Sequence, residues 1–165
     1  MKFVSIVTAL LIPMTAMAAV APVSKKHDAS KPVHIMASKK GQLFVKLNRA
    51  SKLKDKDTFG KSDPFVEMWL EKAYKQRSKD TKGLNPVFNE TFCFYVRSGQ
   101  NKLYARAVDR DTFKNDKIGD VTIPLDKVMS SGSVGPQDYK LPKWLGFSDN
   151  GSLNLQMQFV EDTSM

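Results

Sequence analysis

The stretch Gly151-Ser-Leu-Asn-Leu-Gln-Met-Gln-Phe159 alternates apolar and polar residues without a break, which sets Leu153, Leu155, Met157 and Phe159 on one side. Successive side chains of an extended strand point to opposite faces, so this pattern fits a strand with one buried and one wet face. The same period recurs along the chain. QLFVKLNRA groups Leu43, Val45 and Leu47, DPFVEMWLE groups Val66, Met68 and Leu70, and VFNETFCFYV groups Phe88, Phe92, Phe94 and Val96. KLYARAVD adds Leu103, Ala105 and Ala107, and IGDVTIPLD adds Val121, Ile123 and Leu125. With the polar, highly charged YKQRSKDTK, seven strands are expected. An eighth is expected from PVHIMAS, residues 32–38, turned back through Lys39-Lys-Gly41. A short helix is expected around LDKVMSS, residues 125–131. Trp69 and Trp144 read as core or edge packing. Many short strands at this spacing predict an all-β fold, an eight-stranded antiparallel β-sandwich.

The chain has 165 residues, enough for one domain with its own core. Its start has the form of a secretory signal, residues 1–18. Lys2 supplies a positive charge, Phe3 to Met14 is almost wholly apolar, and Ala16-Met-Ala18 offers small residues for cleavage. The apolar run is shorter than the roughly 20 residues that span a bilayer, and Pro13 interrupts it. Residues 19–32 read as a flexible leader, 33–161 as the folded domain and 162–165 as a tail. Secretion is the expected localisation. Cys93 stands alone, so no internal disulfide forms and stability falls to the core. Two glycosylation sequons begin at Asn89 and Asn150, the second in the turn-like SDNGS.

Lysine and arginine number 26 against 17 aspartates and glutamates. Such an excess favours anionic membranes or other polyanions. No aromatic stacking platform or groove-reading helix accompanies it, so no specific nucleic acid is expected. Against this background the chain spells a similar acidic phrase twice, DKDTFGKSD from Asp55 to Asp63 and DRDTFKND from Asp109 to Asp116. Asp109 and Asp111 follow a strand two residues apart, and Asp57 and Asp63 flank a turn. If the two loops stand side by side, Asp57, Asp63, Asp109, Asp111 and Asp116 converge. That many hard oxygen ligands suits calcium, which takes six to eight. An EF-hand fails because Phe59 and Val66 occupy positions that need ligands. An aspartyl-phosphate phosphatase would need an α/β sheet. His27 and His34 are isolated near the N-terminus, and no Ser/His or Cys/His arrangement is visible, so no enzyme is expected.

Four ordered stretches carry a family resemblance. GQLFVKLNRASKLKDKDTFGKSDPFV resembles the opening of a C2 domain, the calcium- and lipid-binding module of protein kinase C and synaptotagmin. KGLNPVFNETFCFYV resembles that family's Asn-Pro-Val-Trp-Asn-Glu strand, with Phe88 for the tryptophan. KLYARAVDRDTFKNDKIGDVTIPL resembles its third-loop region and GSLNLQMQF its closing strand. The resemblance spans roughly residues 41–160 and implies a sandwich of the C2 type that binds calcium in loops at one end. Asp57 and Asp63 match the first-loop ligands, Asp109, Asp111 and Asp116 those of the third, and Asp55 lies outside the pattern. The gap from Asp111 to Asp116 is one residue shorter than in the commonest members, and Lys117 takes the slot that an ungapped count gives to an aspartate.

The implied function is calcium-dependent, non-catalytic docking of a monomer to anionic phospholipid, with phosphoinositides or other polyanions as related ligands. Phe59 and Phe113 sit at the loop tips, for burial in the bilayer. Lys75, Arg77 and Lys79 match the family's basic strand, which contacts acidic headgroups. The alternative is a secreted sandwich that binds a protein or polyanion without calcium.

Overall fold

A computed structural model describes residues 39–55, 62–143 and 149–163. The expected signal, leader and 32–38 strand lie outside the described residues, as do Asp57, Phe59, Trp144 and both histidines. The elements run β1 (Gly41–Ser51), β2 (Pro64–Trp69), β3 (Gln76–Arg77), β4 (Val87–Val96), β5 (Lys102–Asp109), β6 (Asp116–Pro124), α1 (Asp126–Ser131), β7 (Ser133–Pro142) and β8 (Asp149–Glu161). They form two four-stranded antiparallel sheets, ordered β4-β1-β8-β7 and β3-β2-β5-β6.

The alternating residues meet between the sheets. Leu43, Val45, Leu47, Leu153, Leu155 and Met157 from the first sheet join Val66, Met68, Leu103, Ala105, Ala107 and Ile123 from the second in one buried cluster. Removing such side chains from water contributes about 1.5–3 kcal/mol for each large one, which supplies the stability a disulfide-free chain needs. Cys93 is free and exposed. α1 buries Val128 against this core and ends at Gly132, whose left-handed φ of 77° lets its N–H reach the Val128 carbonyl.

Two features depart from the alternation. The eighth strand among the described residues is β7, SVGPQDYKLP, which the alternation did not single out. Only Val134 and Leu141 of β7 are buried, and its register with β8 slips between Val134 and Gln137. A bulged edge strand faces solvent along much of its length and tolerates proline, so Pro136 and a polar composition hid it. YKQRSKDTK, expected as a strand, pairs over only Gln76 and Arg77.

The outer face of the second sheet is also covered. Phe65 and Trp69 point away from the main core yet are buried. Trp69 stacks on Tyr104 at 5.8 Å, with Lys75 4.9 Å and Arg106 5.3 Å from its ring centre, and Arg77 lies 3.8 Å over Phe65. Farther along this face, burial pushes the Asp120 carboxyl up, but its pairs with Lys117 and Arg106 outweigh that and hold it below its ordinary value. A depressed carboxyl stabilises the fold above its unfolded pKa and loses that contribution as pH falls through the folded one. Asp120→Asn should therefore cost up to about 1 kcal/mol at pH 7. In urea unfolding the difference from wild type should shrink towards zero as pH falls through the folded-state pKa, which lies under the ordinary carboxylate value, because both states are protonated below it. An unchanged difference at low pH would show that the pairs do not act through charge.

The sequons also separate. Asn89 is exposed, with a left-handed φ of 52° where β1 shifts register opposite it, whereas Asn150 is half-buried in β8. Its turn-like sequence does not make Asn150 the more accessible of the two.

Candidate metal and lipid-binding end

The strand pairing gathers the acidic phrases. Pro64, at the start of β2, lies opposite Asp109, at the end of β5, and Asp109 lies opposite Asp116, at the start of β6. The connections 52–63 and 110–115 therefore leave the sandwich at the same end. Backbone bonds tie them: the Arg110 N–H reaches the Asp63 carbonyl at 3.2 Å, and Gly83 N–H reaches the Ser62 carbonyl at 2.8 Å. Pro142 pairs with Asp149, so the connection between β7 and β8 opens at this end too.

Asp109 is the centre of the arrangement. It is fully buried, although it closes a strand next to a loop. Its Oδ1 accepts the Asp63 N–H at 2.8 Å, while its buried Oδ2 has no hydrogen-bond partner among the described residues. A carboxylate oxygen held out of water without a donor is costly, by about 1–3 kcal/mol or more for a charged group. Native structures rarely keep such an atom unless a ligand or function completes it. A calcium ion is a fitting complement, since its ligands are carboxylate and carbonyl oxygens. Asp63 is half-buried beside Asp109, Asp111 is half-buried with its N–H on Asn115 Oδ1 at 3.2 Å, and Asp116 is exposed. Among the described residues no three acidic, histidine or cysteine side chains stand together as a metal-holding group. The structure thus joins Asp63 with Asp109 and sets Asp116 opposite them. It leaves Asp111 in the loop, and Asp57 falls outside the described residues.

Lys117 does not neutralise Asp116. β6 carries one extra residue between Gly119 and Lys117, and the Lys117 ammonium lies 2.7 Å from Asp120. The bulge that buries Ile118 changes the local strand geometry at the point where the shorter second phrase ends. Phe113, at the tip of the 110–115 loop, is fully exposed.

The basic strand is less free than its spacing implies. Lys75 pairs with Glu67 at 2.8 Å as well as lying over Trp69, and Arg77 pairs with Asp80. Lys79 is exposed, and its backbone N–H is held by Glu90 Oε1 at 3.1 Å. Asp80 escaped the sequence reading, and Asp55, which the family pattern leaves aside, has a part as well. Asp80 also takes Arg110 at 2.5 Å, fastening the third loop to the segment after β3. Asp55 accepts the Ser62 hydroxyl at 3.0 Å, drawing together the two ends of the first loop. Neither contact has a sequence signal, because both depend on how distant segments meet.

The C2 domain family matches residues 41–141. The chain belongs to this family. Human synaptotagmin-7 is 46% identical over 94 residues, which make up 52% of this chain and 23% of that protein. The chain thus matches about a quarter of that relative's length. A single C2 domain of a plant extended synaptotagmin 1 superposes with a TM-score of 0.62 and 27% identity, covering 75% of this chain and 97% of that one. The tandem C2 domains of extended synaptotagmin 2, calcium bound, superpose with a TM-score of 0.65 and 25% identity, covering 74% and 46%. The eight-stranded antiparallel sandwich is the C2 fold, and C2 domains in general are non-catalytic binding modules.

Proposed function

We propose that this C2 domain docks to anionic phospholipid when calcium binds its acidic loop end, and that it performs no catalysis. The observation that carries this reading is Asp109 Oδ2, buried at the loop end without a donor among the described residues. Asp63, Asp109, Asp111 and Asp116, with Asp57 of the first loop, would hold the ion. Calcium supplies positive charge at a cluster that is otherwise negative, together with coordination positions for lipid phosphate. Phe113 then enters the interface, where burying its ring is worth about 1.5–3 kcal/mol, and Phe59 has the matching place in the first loop. Exposed Lys79 adds attraction that salt screens, while Lys75 and Arg77 act with their charges partly met by Glu67 and Asp80. The apolar start and Ala16-Met-Ala18 favour export, so we place the activity outside the cell, on a monomer.

Co-sedimentation with vesicles containing phosphatidylserine tests this. Binding should require calcium and disappear in excess chelator. Phe113→Asp should weaken calcium-dependent binding by about tenfold or more while leaving the fold intact, since the side chain is fully exposed. Equal binding with and without chelator would select the calcium-independent alternative.

A further inference from the structure

The two glycosylation sequons stand in opposite surroundings, and only one of them leaves room for a sugar. In Asn89-Glu-Thr91 both recognition positions are exposed, and Val87 before them is 63% exposed. Side chains two apart on a strand share a face, so these three form one open row along β4, the outermost strand of the first sheet. The register of β1 shifts between Leu47 and Arg49 opposite this point, and Asn89 takes its left-handed φ of 52° there. Asparagine adopts that conformation more readily than most residues, and an irregular step in a strand re-aims the side chain it carries. Among the described residues no hydrogen bond holds the Asn89 side-chain amide or the Thr91 hydroxyl. Glu90 between them turns the other way, with its carboxylate on the Lys79 N–H at 3.1 Å.

Asn150 differs on each count. It is half-buried, its Oδ1 is buried, and its Nδ2 stands 3.6 Å from the place that a Cβ on Gly119 would take. The Lys54 N–H also bonds its carbonyl at 3.2 Å. A sugar on that nitrogen would have to part Asn150 from Gly119. We infer that the exported chain carries an N-linked glycan on Asn89 and none on Asn150. In this step Asn89 Nδ2 forms a bond to the anomeric carbon of an oligosaccharide and loses a proton. The bond from that carbon to a polyprenyl diphosphate breaks, and the lipid diphosphate leaves with the electron pair. The Thr91 hydroxyl, two residues on, completes the recognition element. The lipid donor and its transferase belong to the secretory route, so the inference rests on the export reading and is independent of calcium. A bulky, hydrated sugar at this position covers the outer face of β4 and keeps an edge strand from pairing with another chain.

Expression of the full chain in a eukaryotic secretion host, with cells and medium both analysed, tests the assignment. Peptide N-glycosidase should increase the mobility of the chain, and mass spectrometry should find Asn89 deamidated by that treatment. The shift should vanish in Asn89→Asp and in Thr91→Ala, persist in Thr91→Ser and stay unchanged in Ser152→Ala. Thr91→Ala leaves Asn89 in place, so its result stands even where a change at the left-handed position impairs folding. Exchange of residues 1–18 for the signal of a protein that the host secretes separates the two readings. A Thr91-dependent glycan that appears only with the exchanged signal supports the site and removes the export reading. No glycan with either signal, or a mobility shift that survives Thr91→Ala, overturns the assignment. A glycan on Asn150 of the secreted, folded chain overturns it as well.

Discussion

Asp109→Asn is expected to raise stability in chelator and to remove the response to calcium. Asp109 is fully buried, and among the described residues only one of its two oxygens is satisfied, by the Asp63 N–H at 2.8 Å. Without an ion, wild type keeps a carboxylate oxygen out of water with no donor among the described residues. Asparagine retains the acceptor for Asp63 and replaces the anionic oxygen with a neutral amide, whose burial costs less. Scanning calorimetry in chelator should show the variant more stable by about 1–3 kcal/mol, or several degrees in Tm. In calcium the difference moves towards wild type by about 2 kcal/mol. Wild type gains about 2.7 kcal/mol when free calcium stands at a hundred times its dissociation constant. The variant, with a central ligand lost, should bind calcium about a hundredfold more weakly and gain almost nothing at that concentration. A variant less stable than wild type in chelator would mean that Asp109 serves the fold through its charge and not the ion. Wild type without any calcium-induced shift would remove the metal site itself.

Trp69→Ala should be the most destabilising change on the outer face of the second sheet, with little direct effect on calcium. Trp69 is only 8% exposed, although it faces away from the main core. Tyr104 stacks on it at an interplanar angle of 11°, and the Lys75 and Arg106 cations cap the ring. Deleting an aromatic side chain that is almost fully enclosed costs about 3–5 kcal/mol, so Tm should fall by roughly 10 °C or more. Trp69→Phe keeps a stacking partner and should cost considerably less. Calcium affinity of the folded fraction should remain within about twofold, since effects at separated sites are nearly additive. A loss under 1 kcal/mol for Trp69→Ala would mean that the cation-capped ring is exposed to solvent in solution. The basic strand would then be a free charged surface instead of a cover for aromatic residues.

Much of the fold was legible because a strand with one buried face must repeat with period two. Leu43, Val45 and Leu47, or Leu153, Leu155 and Met157, could be assigned to a common face from spacing alone, and all are buried. β7 was not legible for the converse reason. At an edge, with a register slip and Pro136, it has few partners that demand apolar side chains. The outer-face burial of Phe65 and Trp69 was hidden as well. A strand apolar on both faces interrupts alternation, and its second cover comes from Lys75, Arg77 and Arg106 outside that strand. Of the proposed site, the acidic phrases and the exposed Phe113 were visible. The pinning of Arg110 by Asp80 and the diversion of Lys117 to Asp120 were not.

The sequence alone determined which residues face inward on most strands and which two loops are rich in carboxylates. Both properties are local: side-chain direction follows from the extended backbone, and loop composition follows from the turn. Tertiary structure decided which strands lie side by side, and therefore that Asp63 donates its N–H to Asp109 and that Asp116 stands opposite. It also decided that Asn89 and Thr91 stand exposed while Asn150 packs beside Gly119. Contacts such as that between Asp63 and Asp109 join residues 46 positions apart in the chain. They arise from the pairing of whole sheets, through long-range contacts that no window of neighbouring residues encodes.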